Sequence, residues 1–195
     1  MRIVNSEFKI SVASVSGIIR DGMPQIAFVG RSNVGKSSLL NMLTNRKGLA
    51  ITSSTPGRTR LINYFTINKS FYFVDLPGYG YAKASKSKSE AWQALIEPYL
   101  VKNQDLKCVC VLVDIRHKPS DLDKLMCQFL EYHHIPFIIV ATKADKLSRS
   151  KVKPEAQKIA NELGVGVGNI YTTSSSSKLG QAEVLAKLDQ FLEVE

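Results

Sequence analysis

The residues Gly30-Arg31-Ser32-Asn33-Val34-Gly35-Lys36-Ser37 fit the pattern G-x-x-x-x-G-K-[ST]. Its glycines let a backbone wrap around phosphate oxygens with N–H groups turned inward, and a helix starting at Lys36 adds the positive end of its dipole. Lys36 has the reach and charge to meet β- and γ-phosphates. The Ser37 hydroxyl, with Ser38 beside it, suits the coordination of Mg²⁺. Further along, Asp75-Leu76-Pro77-Gly78 closes the apolar run of residues 71–74. A carboxylate there can hold Mg²⁺ through water, and the Gly78 N–H can meet a γ-phosphate. D-x-x-G alone also describes many turns, so its weight comes from its place after a strand and downstream of the glycine loop.

A third station, Thr142-Lys143-Ala144-Asp145, follows the apolar run 137–141. A carboxylate accepts two hydrogen bonds from the N1–H and 2-amino edge of guanine. Adenine lacks the amino group and presents an acceptor at N1, which would leave the carboxylate desolvated and unpaired. Asp145 therefore selects guanine, and the Lys143 stem can cover the ring face. Thr173-Ser174-Ser175-Ser176 follows a short strand and can bring backbone N–H groups to the guanine O6. Read one by one, these stretches also match a glycine-rich turn, a charged strand-end turn and an ordinary serine-rich loop. Their order along the chain separates the two readings.

The elements that must position these residues alternate in hydrophobic period. Strands are expected at residues 25–29, 61–67, 70–74, 109–113, 136–141 and 169–172, with helices at 36–43, 90–101, 121–133, 153–163 and 182–192. The two strands joined at Asn68-Lys69 must be antiparallel. The continuous apolar runs at 109–113 and 136–141 fit strands covered on both faces. This alternation predicts a single α/β domain: a mostly parallel sheet with one antiparallel strand and helices on both faces. Residues 1–24 are read as an extended N-terminal segment packed on the domain, and 25–195 as the nucleotide-binding domain. Residues 48–60 and 77–89 are long loops rich in Gly, Ser, Thr and Lys, a length usual for functional segments.

Composition excludes several classes. The chain has 195 residues, 44% hydrophobic and 22% charged, which is globular rather than disordered. No apolar run approaches the roughly 20 residues of a membrane span, and no block of signal-peptide length opens the chain, so no membrane insertion and a cytoplasmic location are expected. Cys108, Cys110 and Cys127 lack zinc or disulfide spacing and read as buried thiols. His117, His133 and His134 have no metal-like spacing, and Trp92 reads as a packing residue. With 26 Lys+Arg against 17 Asp+Glu the net charge is +9, which favours a polyanionic partner such as RNA. Lys83, Lys86 and Lys88 form one basic cluster and Lys146, Arg149, Lys151 and Lys153 a second.

Together these motifs resemble the P-loop GTPases related to translation factors, and most closely the bacterial EngB family, also called YsxC or YihA. The resemblance spans the chain. It rests on residues 28–39, on Thr55-Pro56-Gly57-Arg58-Thr59, on Asp75-Leu76-Pro77-Gly78-Tyr79-Gly80-Tyr81-Ala82 and on Thr142-Lys143-Ala144-Asp145. Thr142 stands where many GTPases have Asn, a replacement that EngB-like proteins share. A switch GTPase needs a threonine that reaches Mg²⁺. Thr52, Thr55 and Thr59 compete for that role, and the resemblance assigns it to Thr59, with Gly57 and Arg58 beside the nucleotide. The implied metal set is Ser37, Thr59 and Asp75, and the implied catalytic set Lys36, Thr59 and Gly78. Tyr79 occupies the position of the water-orienting Gln of Ras-like proteins. The resemblance also implies K⁺ held through Asn33, GTP and GDP as ligands, slow hydrolysis, and a role in large ribosomal subunit assembly, cell division and septation; a monomer is expected. Arg58 and Arg60 could serve as arginine fingers or contact RNA. The alternatives are an RNA- or ribosome-binding module in which the nucleotide is structural, and a P-loop kinase, which would leave Asp145 without a role.

Overall fold

The computed structural model describes residues 1–51, 61–80 and 86–193. Thr52, Thr55, Pro56, Gly57, Arg58, Thr59, Arg60, Tyr81, Ala82 and Lys83 lie outside the described residues, as do the side chains of Lys86 and Lys88. Along the chain run β1 (Ser6–Val12), β2 (Gln25–Gly30), α1 (Lys36–Leu43), β3 (Ile62–Ile67), β4 (Phe71–Asp75), α2 (Lys86–Lys102), β5 (Leu106–Asp114), α3 (Asp121–Tyr132), β6 (Phe137–Thr142), α4 (Arg149–Leu163), β7 (Ile170–Thr172) and α5 (Gln181–Leu192).

The strands form one sheet in the order β1-β3-β4-β2-β5-β6-β7. β3 runs antiparallel to both its neighbours, β1 and β4, and every other pairing is parallel. This is the expected α/β architecture with its single reversed strand. The N-terminal strand β1 extends the sheet at its edge, carrying an irregularity between Phe8 and Ile10.

Period-two alternation builds two cores from the same strands. Ala27, Val29, Tyr64, Val74, Val111 and Ile139 face α2, α3 and α4 through Ile96, Tyr99, Cys127, Leu130 and Ile159. Ile26, Phe28, Phe73, Cys110, Leu112 and Val140 face α1 and α5 through Leu39, Leu43, Val184 and Leu188. Both sides of β2, β5 and β6 are thus covered, which is why their sequences are continuously apolar. All three cysteines are free and buried. Among the described residues no helix is long and apolar enough to cross a membrane. One polar cluster is buried at the opposite end from the strand C-termini: Gln25 accepts from the Tyr99 hydroxyl at 3.0 Å and Asn103 Nδ2 at 2.9 Å, and donates to the Ile19 carbonyl at 2.9 Å. With its amide satisfied on both atoms, Gln25 can sit in the core without the cost of an unpaired polar group.

Two helices start earlier than their periodicity indicates. α4 begins at Arg149 and runs through Pro154, and α2 begins at Lys86. A proline removes one backbone bond but does not end a helix whose apolar face, here Ala156, Ile159, Ala160 and Leu163, is held by the core.

The sheet reverses its direction of growth at β2, flanked by β4 on one side and β5 on the other. In such sheets ligands bind beyond the carboxyl ends of the strands at this point. The loops after β2, β4, β6 and β7, which hold the phosphate, acidic, base and serine motifs, all emerge there. Gly180, just before α5, closes the last of them. A Cβ on Gly180 would lie 2.2 Å from the Thr172 carbonyl oxygen, and its φ is +75°. Gly164, at the end of α4, has a similar φ of +71° with nothing within 4 Å of its Cβ position. Gly164→Ala is expected to cost about 1 kcal/mol from backbone strain alone. Gly180→Ala adds a backbone clash and is expected to cost more than about 2 kcal/mol, both read from urea unfolding.

Candidate nucleotide site

The phosphate loop begins where β2 ends at Gly30. A Cβ there would meet the Leu112 carbonyl oxygen at 2.9 Å, so the loop leaves the sheet against the neighbouring strand's backbone. Asn33 (φ 64°) and Gly35 (φ 105°) are both left-handed. Alternating the hand of successive residues curls a backbone into a concave nest of N–H groups, and Asn and Gly are the residues that tolerate it best. Gly35 is also the N-cap of α1. The first amides of that helix, at Lys36, Ser37 and Ser38, lack intrahelical acceptors by geometry and face outward from its N-terminus. Two other loop amides are engaged within the chain: Ser32 N–H donates to the Tyr79 carbonyl and Val34 N–H to that of Arg31, both at 3.2 Å.

Asp75 ends β4 and is 5% exposed. Its Oδ1 accepts directly from Lys36 Nζ. The two charges that phosphate chemistry needs are thus side by side, a cation for the phosphate oxygens and a carboxylate for a metal. Ser37 lies in the first turn of α1, within the same cradle. A hydroxyl and a carboxylate next to a phosphate site are the hard oxygen donors that Mg²⁺ takes, with phosphate and water completing its shell. This set fits Mg²⁺. Among the described residues there is no group of three or more His, Cys, Asp or Glu that could hold a metal ion.

After Asp75 the chain folds back onto the phosphate loop. Leu76 is buried in the core, and its N–H donates to the Phe28 carbonyl at 3.0 Å. The Pro77 carbonyl accepts from Trp92 Nε1 at 2.7 Å, so Trp92, read as mere packing, also ties α2 to this segment. A Cβ on Gly78 would lie 3.1 Å from the Gly30 carbonyl oxygen and 3.2 Å from the Ser32 nitrogen. Only glycine allows this approach without displacing one of the two segments. Tyr79 N–H then donates to the Gly30 carbonyl at 3.2 Å. The Tyr79 side chain is buried, edge-on to Trp92, and its hydroxyl donates to Asp123 Oδ1 at 2.7 Å. Burial, then the adjacent Asp123 carboxylate, pushes its pKa far up, so it stays a neutral donor. Asp123 Oδ2 in turn accepts from the Ser120 N–H and hydroxyl, closing the capping box of α3. Tyr79 is therefore an anchor between this segment and α3.

The base motif stands at the end of β6. Thr142 Oγ1 donates to the Val34 carbonyl at 2.6 Å, and through this bond the threonine pins the phosphate loop. Lys143 is left-handed (φ 64°), and its Nζ donates to the Asn33 carbonyl at 2.9 Å. Ala144 is buried, and its N–H donates to the Thr173 carbonyl at 3.0 Å. Asp145 accepts from the Ser174 hydroxyl at 2.8 Å and has Lys146 Nζ at 3.4 Å. The Ser174 bond, then Lys146, holds its carboxyl below the usual carboxylate range and keeps it an acceptor. Thr173 and Ser174 are buried, whereas Ser175 and Ser176 are exposed, with Ser176 Oγ 2.9 Å from Ser174 Oγ. The serine loop thus supports the base motif directly.

Of the candidate residues, Gly30 to Ser38, Asp75 to Gly78, Thr142 to Asp145 and Thr173 to Ser176 converge on one edge of the sheet; Gly57, Arg58 and Thr59 fall outside the described residues. Two residues of this edge were missed in the sequence: Asp114, the last residue of β5, and Arg116. Lys143 Nζ lies 3.0 Å from Asp114 Oδ2. A carboxylate closing an apolar strand, as Asp75 does, was the available signal.

The family model described as 50S ribosome-binding GTPase matches residues 25–143. A probable GTP-binding protein EngB of Pelodictyon phaeoclathratiforme is 47% identical over 192 residues, 98% of this chain and 99% of that protein. The protein of the same name from Clostridium kluyveri is 49% identical over 194 residues, 99% of this chain and 98% of that one. Among solved structures, a probable GTP-binding protein EngB superposes with a TM-score of 0.71 at 22% identity, covering 86% of this chain and 98% of its own. Aquifex aeolicus Era bound to GDP and AlF4⁻ gives 0.69 at 23% identity, covering 88% of this chain and 57% of its own. Those two likenesses show the fold.

Asp145→Asn replaces the acceptor edge that guanine needs with one that suits the N1–H and 2-oxo group of xanthine. The variant is expected to lose about two orders of magnitude in GDP affinity and to gain affinity for xanthosine diphosphate. Titration with both nucleotides checks this.

Proposed function

This chain belongs to the EngB family of GTP-binding proteins and is a GTPase, and from that premise we propose that it is a Mg²⁺-dependent switch acting in assembly of the large ribosomal subunit, and through it in normal cell division and septation. The observation that carries the switch is the direct contact of the Gly78–Tyr79 backbone with the phosphate loop, which couples the segment after β4 to whatever occupies that loop. In this reading Lys36 and the amides of Gly35 to Ser38 neutralise the β- and γ-phosphates, and the Gly78 N–H meets the terminal one. Ser37 and Asp75, with Thr59, would hold Mg²⁺, which when bound spreads the charge that develops on the β- and γ-oxygens. Asp145 reads guanine, Lys143 covers its face, and the serine loop serves O6.

Hydrolysis is slow in this proposal because the station after Gly78 carries Tyr79, whose hydroxyl is engaged by Asp123. No side-chain amide stands there to orient water. We assign part of the missing charge to K⁺ held through Asn33, the role the family resemblance implies for this exposed residue of the phosphate loop. GTP turnover in K⁺ buffer is then expected to exceed that in Na⁺ buffer of equal ionic strength by about tenfold, on the order of one lost stabilising contact. Equal rates would remove the cation.

The ribosomal role is supported by the description of the matched family and by a net charge of +9, which suits an RNA-rich partner. It is tested by co-sedimentation with large ribosomal subunits after loading with GDP or a non-hydrolysable GTP analogue. Binding at least about tenfold tighter with the analogue is expected of a switch, a coupling of the size typical for two linked sites. Equal binding in both states would instead favour a ribosome-binding module whose nucleotide is structural.

A further inference from the structure

The geometry points to Asp114, braced by Arg116, as a positioning residue for the guanine nucleotide: it holds the Lys143 side chain stretched across from the base motif to the phosphate loop. The inference rests on reading Thr142–Asp145 as the base motif, and goes beyond it by naming what keeps that motif in shape.

Lys143 is a costly residue to hold. Its φ of 64° places a long β-carbon-bearing side chain in the left-handed region, a conformation that persists only where the surroundings over-determine it. Its ammonium has two anchors, the Asn33 carbonyl at 2.9 Å and Asp114 Oδ2 at 3.0 Å. The stem that leads to this ammonium runs beside Gly35, with Cε 3.8 Å from where a Cβ of that glycine would be. A neutral carbonyl alone is a weak tether for a flexible ammonium. The carboxylate supplies the charge that fixes it.

Asp114 is itself fixed. It pairs with Thr142 in the β5–β6 register, and Ile115 N–H donates to the Thr142 carbonyl at 3.1 Å. Its Oδ1 accepts from Arg116 Nε at 2.9 Å and the Arg116 N–H at 3.1 Å, and its Oδ2 from the second guanidinium nitrogen at 2.7 Å. An exposed ion pair two residues apart would ordinarily contribute little. Here the carboxylate side chain is only 14% exposed, receives a two-pronged guanidinium bond, and carries a second cation from another loop. Burial works against its charge, but the Arg116 and Lys143 bonds outweigh this and hold its carboxyl well below the usual carboxylate range, so the brace stays charged at any working pH.

The test is Asp114→Asn, nearly isosteric and still able to accept one bond from Arg116. The GDP dissociation constant and the KM for GTP are expected to rise about tenfold with kcat changed less than about twofold, the size of one lost charge-assisted coupling. Inorganic triphosphate has no base to cover, and the loop that would take it keeps its ties from Thr142 and Tyr79 in the variant, so its affinity should fall less than about twofold. In a Lys143→Ala background the Asp114→Asn change should add nothing further. The inference is overturned if GDP affinity is unchanged, if triphosphate affinity falls in parallel, or if the two substitutions multiply. Should Asp114→Asn fail to fold, Arg116→Ala at the more exposed end of the brace carries the same test: selective loss of GDP affinity supports it, unchanged affinity overturns it. A normal xanthine shift in Asp145→Asn together with an unaffected Asp114→Asn sinks the brace alone. An absent xanthine shift sinks the base motif itself.

Discussion

The phosphate loop keeps its shape because its outward carbonyls are held from neighbouring loops. Gly30 O is taken by the Tyr79 N–H, Asn33 O by Lys143 Nζ and Val34 O by Thr142 Oγ1. In a trans peptide the carbonyl and the following N–H point in opposite directions. Fixing Val34 O on Thr142 therefore turns the Gly35 N–H to the other side, into the concavity. Left-handed backbone costs Gly35 little but is less favourable for Asn33 in isolation. Here it is maintained by contacts from β4's continuation and from β6's end.

Those contacts exist only because the sheet places the ends of β2, β4, β5 and β6 side by side. The double-sided core fixes strand positions rigidly, since close-packed interiors do not deform gradually. The segments beyond the strand ends are tied to that core by a few buried side chains and by hydrogen bonds. The segment after Asp75 illustrates this. It touches the phosphate loop through Gly78 and Tyr79, α2 through Pro77 and Trp92, and α3 through Tyr79 and Asp123. One short stretch thus connects the phosphate loop with two helices whose outer faces meet solvent.

Much of this was legible in the chain. The alternation of strand and helix, the reversal at Asn68-Lys69 and the apolar runs of β5 and β6 follow from side-chain period and turn chemistry, which are local. So do the phosphate, acidic and base motifs, because backbone phosphate binding and guanine recognition demand particular residue types at short spacing. The early starts of α2 and α4 were not legible, because tertiary packing of a helix face outweighs a proline or a run of polar residues.

What the sequence determined by itself is the kit: a glycine-bounded loop before a helix, carboxylates at strand ends, a lysine and a threonine beside one of them. Partners far apart in sequence were decided by the tertiary structure alone. Asp114 shows locally only as a carboxylate closing an apolar strand, and its partner Lys143, just past the end of the next strand over, is met only in the fold. Tyr79 reads only as the residue standing where Ras-like proteins have Gln, until the fold brings Asp123 to its hydroxyl. Thr142 looks like a departure from a base-reading asparagine until Val34 is seen 2.6 Å from its oxygen. The physical reason is the same in each case: residue type fixes which bonds a side chain can make, and the register of neighbouring strands fixes which of them it does make.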